Sequence, residues 1–211
     1  MGDYAGNAAP ESDPHGELKG TNTLHRQLSD AEAAKEFNLP SAQVAEKLAA
    51  ARQTLFDARA KRHRPHLDDK VITAWNGLMI TAFAKAYQVL GDEAYLTAAN
   101  RAADFLRSTL YDEKNGTLLR TWRESPSDIG GFAEDYAYLI RGLLDLYEAD
   151  FDTDRIAWAI DLQKKQDELF WDKKHGGYFS STGEDPSVLL RMKEDYDGAE
   201  PSPNTIAALN L

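Results

Sequence analysis

Apolar positions recur along this chain at helical spacing in two contrasting kinds of segment, and the two kinds alternate. Residues 71–90 are apolar on almost every side (Val71, Ile72, Trp75, Leu78, Met79, Ile80, Phe83, Ala86, Val89), the pattern of a helix buried all round. Residues 93–110 are amphipathic, with Leu96, Ala99, Ala103 and Leu106 set against Arg101, Asp104 and Arg107. The contrast then returns. Residues 133–148 carry Tyr136, Leu139, Ile140, Leu143, Leu144 and Tyr147, and 154–170 set Ile156, Ile160 and Leu169 against Lys164, Lys165 and Asp167. The turns between copies match as well: Leu110-Tyr-Asp-Glu-Lys-Asn-Gly116 is answered about sixty positions later by Phe170-Trp-Asp-Lys-Lys-His-Gly176. A period of that length built from helix pairs predicts a toroid or solenoid, because one pair alone cannot bury its apolar face.

Earlier in the chain, 30–37 reads as a short helix ended before Pro40, and Ser41 as the N-cap of a helix to about Arg62 with Val44, Leu48, Ala51 and Leu55 on one face. Pro203 opens a third inner helix. The expected organisation is one incomplete α/α-barrel domain over 1–211. It comprises an irregular loop with β character (1–29), the helices of one repeat (30–65), a second repeat (66–132), a third (133–202) and the start of a further inner helix (203–211). Inner helices run one way and outer helices return, so outer-to-inner connections arrive together at the inner N-termini. Those connections, 111–132 and 171–202, are long and contain β-formers (Thr117-Leu-Leu-Arg-Thr-Trp122, Tyr178-Phe-Ser-Ser181, Val188-Leu-Leu-Arg191), whereas Gly91-Asp92 and Asp150 to Asp154 are tight. Long loops on one face of a rigid scaffold are where function usually sits.

Composition narrows the chemistry. A formal charge of −11, from 24 basic and 35 acidic residues, argues against nucleic-acid binding, which requires a basic footprint. The absence of cysteine removes disulfides, thiolate metal sites and a cysteine nucleophile. No apolar run approaches the ~20 residues a membrane helix needs, and residues 1–25 lack a signal-peptide core, so the expected location is the cytoplasm. The apolar helix begun at Pro203 stops after about two turns. The expectation is a segment of a longer protein.

Three short sequences introduce the three inner helices: His66-Leu-Asp-Asp-Lys-Val-Ile-Thr-Ala-Trp-Asn-Gly-Leu78, Gly131-Phe-Ala-Glu-Asp-Tyr-Ala137 and Asp197-Gly-Ala-Glu-Pro-Ser-Pro-Asn204. In this order they resemble the family of spermatogenesis-associated thioredoxin-domain proteins and their bacterial counterparts, and Asp13-Pro-His-Gly-Glu-Leu-Lys-Gly-Thr-Asn22 fits the same pattern. The resemblance implies a thioredoxin-like domain followed by a helical barrel similar to N-acylglucosamine 2-epimerases and six-hairpin glycosidases. The fold expected here is therefore all-α: a partial α/α toroid, six-hairpin glycosidase-like, with short β-hairpins in the outer-to-inner connections. The expectation is that the thioredoxin-like part with its cysteines is absent, as are the first and last barrel repeats, so no redox activity is assigned to this chain.

Residue by residue, the rim offers both structural and chemical readings. Asp68 and Asp69 stand where an N-cap belongs; they are also candidate acid/base groups. Glu134 and Asp135 begin the next inner helix about 100° apart, so one faces the lumen and the other caps. Glycoside cleavage uses two such carboxylates, which makes Asp68, Asp69, Glu134 and Asp135 the catalytic candidates. His66, Trp75, Asn76, Tyr136, Glu200 and Asn204 are the substrate-binding candidates. Trp75 offers a flat face or a core side chain; Asn76 and Gly77 each weaken a helix interior, consistent with a polar cavity. Arg191 and Lys193 either lend the cleft positive charge or line a solvated strand. A 2-epimerase uses imidazole groups, and only His66 lies near these motifs.

Other signatures fail: a proline interrupts His63-Arg-Pro-His66, and Asp150-Phe-Asp-Thr-Asp154 lacks the glycine and the bidentate Glu of a calcium loop. No phosphate-binding or Gly-x-Ser-x-Gly loop occurs. No cofactor and no metal are expected. The partners implied are a sugar substrate, the thioredoxin-like domain and the remaining barrel repeats, with neither nucleic acid nor membrane. Two functions stand: a carbohydrate-active or carbohydrate-binding barrel, acting by glycoside hydrolysis or sugar isomerisation, or a non-catalytic scaffold supporting the thioredoxin-like domain.

Overall fold

The computed structural model describes residue 15 and residues 25–184 and 188–211. The loop-and-strand reading of the first residues and the stretch Asp13–Asn22 fall almost wholly outside them. The chain divides into two compact units, Met1–His66 and Leu67–Leu211. In the first, α1 (Asp30–Glu36) packs on α2 (Ser41–Ala60). Ser29 caps α1, its side chain accepting from Glu32 N–H while the Glu32 carboxylate accepts from Ser29 N–H, a reciprocal pair that satisfies two orphan donors. The cap of α2 departs from expectation: Pro40 occupies that position without a side-chain bond, and Ser41 is already helical. Proline's fixed φ suits the entry, and its carbonyl takes the N–H of Gln43 and Val44. Of the face expected on α2, only Val44 is buried.

The second unit runs β1 (Val71–Ile72), α3 (Thr73–Leu90), α4 (Glu93–Leu110), β2 (Tyr111–Asp112), β3 (Thr117–Leu118), β4 (Thr121–Arg123), β5 (Ser125–Pro126), α5 (Ala133–Asp150), α6 (Thr153–Phe170) and α7 (Pro203–Asn210). α5 is flanked by α3 and α7 in an inner layer, while α4 and α6 return outside. The core between the layers includes Ile80, Leu106, Leu110, Leu118, Leu139, Leu143, Leu162 and Phe170, all buried, each contributing roughly 1.5–3 kcal/mol by leaving water.

The repeat extends to individual hydrogen bonds. α3 ends at Gly91 and α5 at Phe151, both left-handed, and Asp92 and Asp152 then cap the outer helices. Asp112 and Asp172 fold the next turns: their carboxylates accept backbone N–H groups at Lys114 and Lys174, and their carbonyls accept from Gly116 and Gly176. The polypeptide then comes back to the inner layer, where Thr73 N–H donates to the Arg120 carbonyl (2.9 Å) and Ala133 N–H to that of Ser180 (3.1 Å). In the first connection this produces the β2–β3 hairpin and a three-stranded sheet β1-β4-β5, with Val71 opposite Trp122 and Ile72 opposite Thr121. In the second, an isolated bridge joins Trp171 and Tyr178.

Two burial expectations need correction. The segment 71–90 is not buried on every side: its first two residues form β1, and Trp75, Met79, Val89 and Leu90 on α3 are exposed. α3 presses against α5 and α4. On α6 the buried face is Arg155, Trp158, Ala159, Leu162, Gln166 and Phe170, while Ile160 is exposed. Arg155 is tolerated there because Asp104 and Asn100 of α4 accept its guanidinium hydrogens at 2.8 and 3.0 Å.

Candidate functional site

Three contacts bring the inner-helix N-termini to one rim. Ala74 N–H of α3 donates to Asp135 Oδ1 of α5 (2.9 Å). Trp75 Nε1–H donates to Glu200 Oε1 on the approach to α7 (2.8 Å). The Tyr138 hydroxyl of α5 donates to the Pro201 carbonyl.

Asp135 is the centre of this rim. It is fully buried, and its second oxygen accepts from Phe132 N–H (2.8 Å) and from Arg120 (3.1 Å). One carboxylate therefore caps α5 and satisfies an otherwise unpaired N–H at the start of α3. Burial pushes its carboxyl up to about 6 against the pull of those donors. Its neighbour Glu134 meets the same Arg120 nitrogen, at 2.7 Å. Of the adjacent acidic pair, then, Asp135 is the cap and Glu134 the partly exposed group. The Arg120 guanidinium lies 4.5 Å from the centre of the Phe132 ring, so one arginine unites two acids and an aromatic side chain.

The other candidates are distributed as follows. Asp68 pairs with Lys70 at 3.2 Å, which holds its carboxyl below the usual range, and Asp69 pairs with Arg123 at 2.8 Å. His66 closes the first unit and is exposed. Trp75 is half exposed, its indole oriented by Glu200. Asn76, one position on, donates to the Ile72 carbonyl and lines a shallow groove with Phe105 and Trp122, between α3 and α4. Tyr136 is fully buried against Phe170, its hydroxyl accepting from Leu118 N–H, and burial pushes it up to about 12. Asn204 bridges the Tyr178 backbone and the Glu194 carbonyl. Lys193 holds Asp172 and the Gly176 carbonyl, each at 2.6 Å, while Arg191 binds the carbonyls of Ser181 and Leu169.

The rim thus unites Trp75, Glu134, Asp135 and Glu200. It does not bring Asn76 or Tyr136 to the same surface. Arg120, Phe132 and Tyr138 were not among the sequence candidates; the one available signal was an arginine directly after two leucines in Leu118-Leu-Arg-Thr121. Among the described residues no group of three or more His, Asp or Glu is arranged to hold a metal ion, and no helix is long and apolar enough to cross a membrane.

No protein-family model matches the chain. Human spermatogenesis-associated protein 20 is 44% identical over 216 residues, an alignment covering 98% of this chain and 28% of that protein. The chain thus spans a little over a quarter of the length of the relatives it matches. Among solved structures it is similar to cellobiose 2-epimerase from Bacillus thermoamylovorans (TM-score 0.54, 20% identity, 70% of this chain and 38% of that one). It is also similar to a family 105 glycoside hydrolase from C. acetobutylicum (TM-score 0.53, 14% identity, 86% and 53%). At these identities the likeness is one of fold, the six-hairpin glycosidase-like α/α toroid.

Proposed function

The chain belongs to the family of spermatogenesis-associated protein 20, and on that premise we propose that it forms the carbohydrate-binding wall of an α/α toroid, with its ligand at the inner-helix N-termini. The observation that carries this reading is the half-exposed Trp75 at that rim, its ring turned by the hydrogen bond to Glu200. An oriented indole offers an apolar face bordered by polar acceptors, the lining that small-molecule sites combine. Kinship of fold with a cellobiose 2-epimerase and a glycoside hydrolase supports the substrate class, as analogy rather than mechanism.

In this reading Glu134 and Glu200 meet the sugar hydroxyls, Asp135 and Arg120 hold Glu134 in place, and Asp68 and Asp69 border the cleft. If the site is catalytic, Glu134 is its reacting carboxylate, since Asp135 is buried and occupied by three donors. The cysteine-free composition suits a reducing cytoplasm.

A second reading is favoured by a specific observation. Asp68, Asp69, Glu134 and Asp135 are all engaged in ion pairs or caps, the signature of a scaffold supporting a thioredoxin-like domain elsewhere in the protein.

Thermal shift separates the two. The chain, in parallel with full-length human spermatogenesis-associated protein 20, is screened against glucose, mannose, N-acetylglucosamine and cellobiose. A sugar at a hundred times its Kd should raise Tm by roughly 5–10 °C, and Trp75→Ala or Glu134→Gln should abolish the response. No shift in either protein with any sugar would overturn the carbohydrate reading in favour of the scaffold.

A further inference from the structure

A second cavity opens on the same rim, outside the set of residues just assigned. It has a volume of about 400 Å3 and lies between the two outer-to-inner connections, lined by Asp128, Ile129, Phe132, Ser181, Thr182 and Val188. Its size falls within the range of small-molecule sites, roughly 300–1,000 Å3. The lining is mixed: an aromatic ring and two aliphatic side chains, against one carboxylate and two hydroxyls. Such a set suits a polyol with apolar ring faces; a hydrocarbon would strand the carboxylate, and a phosphate would meet it as a like charge. The backbone at Gly130 and Gly131 adds to the wall, and at Gly131 a Cβ would come within 3.2 Å of Leu118.

The position of this cavity relative to Trp75 gives it meaning. Phe132 precedes α5 and Ala74 precedes Trp75 on α3, and the same carboxylate, Asp135, accepts both backbone N–H groups, at 2.8 and 2.9 Å. The backbone just before Trp75 and the backbone at Phe132 therefore meet on one buried acid. The charge at the junction is managed internally, because Arg120 is taken up by Glu134, Asp135 and the Phe132 ring. Arg191, beside the cavity, is likewise engaged, donating to the Ser181 carbonyl at 2.7 and 2.9 Å.

We propose that the cavity beside Phe132 is a second sugar subsite, so that the ligand of this rim is an oligosaccharide of at least two units rather than a monosaccharide. The inference rests on the carbohydrate reading above and deepens it: Trp75 receives one unit and Phe132, with Asp128 and Thr182, receives the next.

Isothermal titration of the full chain with glucose against cellobiose, and with mannose against mannobiose, tests it. The expected result is at least a tenfold tighter Kd for the disaccharide of one pair. Asp128→Ala and Thr182→Val, on surface connections, should each bring the Kd values of that pair together. Equal affinity within a pair whose members both bind would overturn the second subsite and leave the carbohydrate reading intact. An unchanged disaccharide advantage in both variants would also overturn this assignment. Failure of every sugar to bind would remove the carbohydrate reading and the subsite with it.

Discussion

Replacing Gly77 by alanine should destabilise the chain by about 2 kcal/mol or more, against the gain that helix propensity alone would suggest. A Cβ at Gly77 would stand 2.5 Å from the carbonyl carbon of Tyr138, 2.6 Å from its oxygen and 2.6 Å from Leu139 N. All three are backbone atoms of α5, so no side chain can turn aside and the helices must separate. Overpacking of this kind costs about 1–3 kcal/mol, occasionally more, and outweighs the ~1 kcal/mol by which alanine is the better helix former. The contact is reciprocal: a Cβ at Gly142 would lie 2.7 Å from the Gly77 carbonyl oxygen. Gly91 supplies the contrast, for its φ is +69° and nothing lies within 4 Å of a Cβ there; Gly91→Ala should cost about 1–2 kcal/mol, from backbone strain alone. Urea denaturation of the two variants should show Gly77→Ala to be the more damaging. A Gly77→Ala chain as stable as the parent would show that α3 and α5 do not depend on this approach.

That contact marks where a reading of the sequence stops. Residues 93–110 and 154–170 announce themselves as amphipathic helices, and the matched turns at Asp112 and Asp172 make the repeat plain before any coordinates. The direction in which α3 faces was not legible. A segment apolar on all sides carries no record of which side meets a neighbour, and Gly77 looks like a weak helical position until the α5 backbone is set against it. Similarly, the paired acids at 68–69 and 134–135 stand out in the sequence, but their partners do not. Arg120, just before β4, and Arg123, at its end, reach them, and the register of that strand depends on the pairing of Val71 and Ile72 with Trp122 and Thr121, about fifty residues away. Pairing across such a separation leaves no local pattern.

Asp135→Ala should cost about 3–5 kcal/mol at neutral pH, the range for breaking a buried charged pair. The value should fall near the low end, because Arg120 keeps Glu134 at 2.7 Å and is itself 27% exposed. The loss has three parts: the Phe132 and Ala74 N–H groups are left unpaired, each a penalty of about 1–3 kcal/mol if water cannot reach it, and Arg120 loses one of two counter-ions. pH gives this site a distinctive signature. Burial raises the Asp135 carboxyl from 3.8 to about 6, so between these values the folded chain binds more protons than the unfolded one. Stability linked to this group is therefore fully present below about pH 4 and declines as pH rises through 6, by an amount on the order of 3 kcal/mol. Carboxyls held low by partners, Asp68 and Asp172 among them, act in the opposite sense and at lower pH. The comparison is thus best made as a difference between the parent and Asp135→Asn, which lacks the titration. The deficit of the variant should be greatest near pH 4 and shrink toward pH 7 in denaturant titrations. A deficit that instead grew with pH would mean that the three donors outweigh burial, and that Asp135 ionises more readily in the fold than in the unfolded chain.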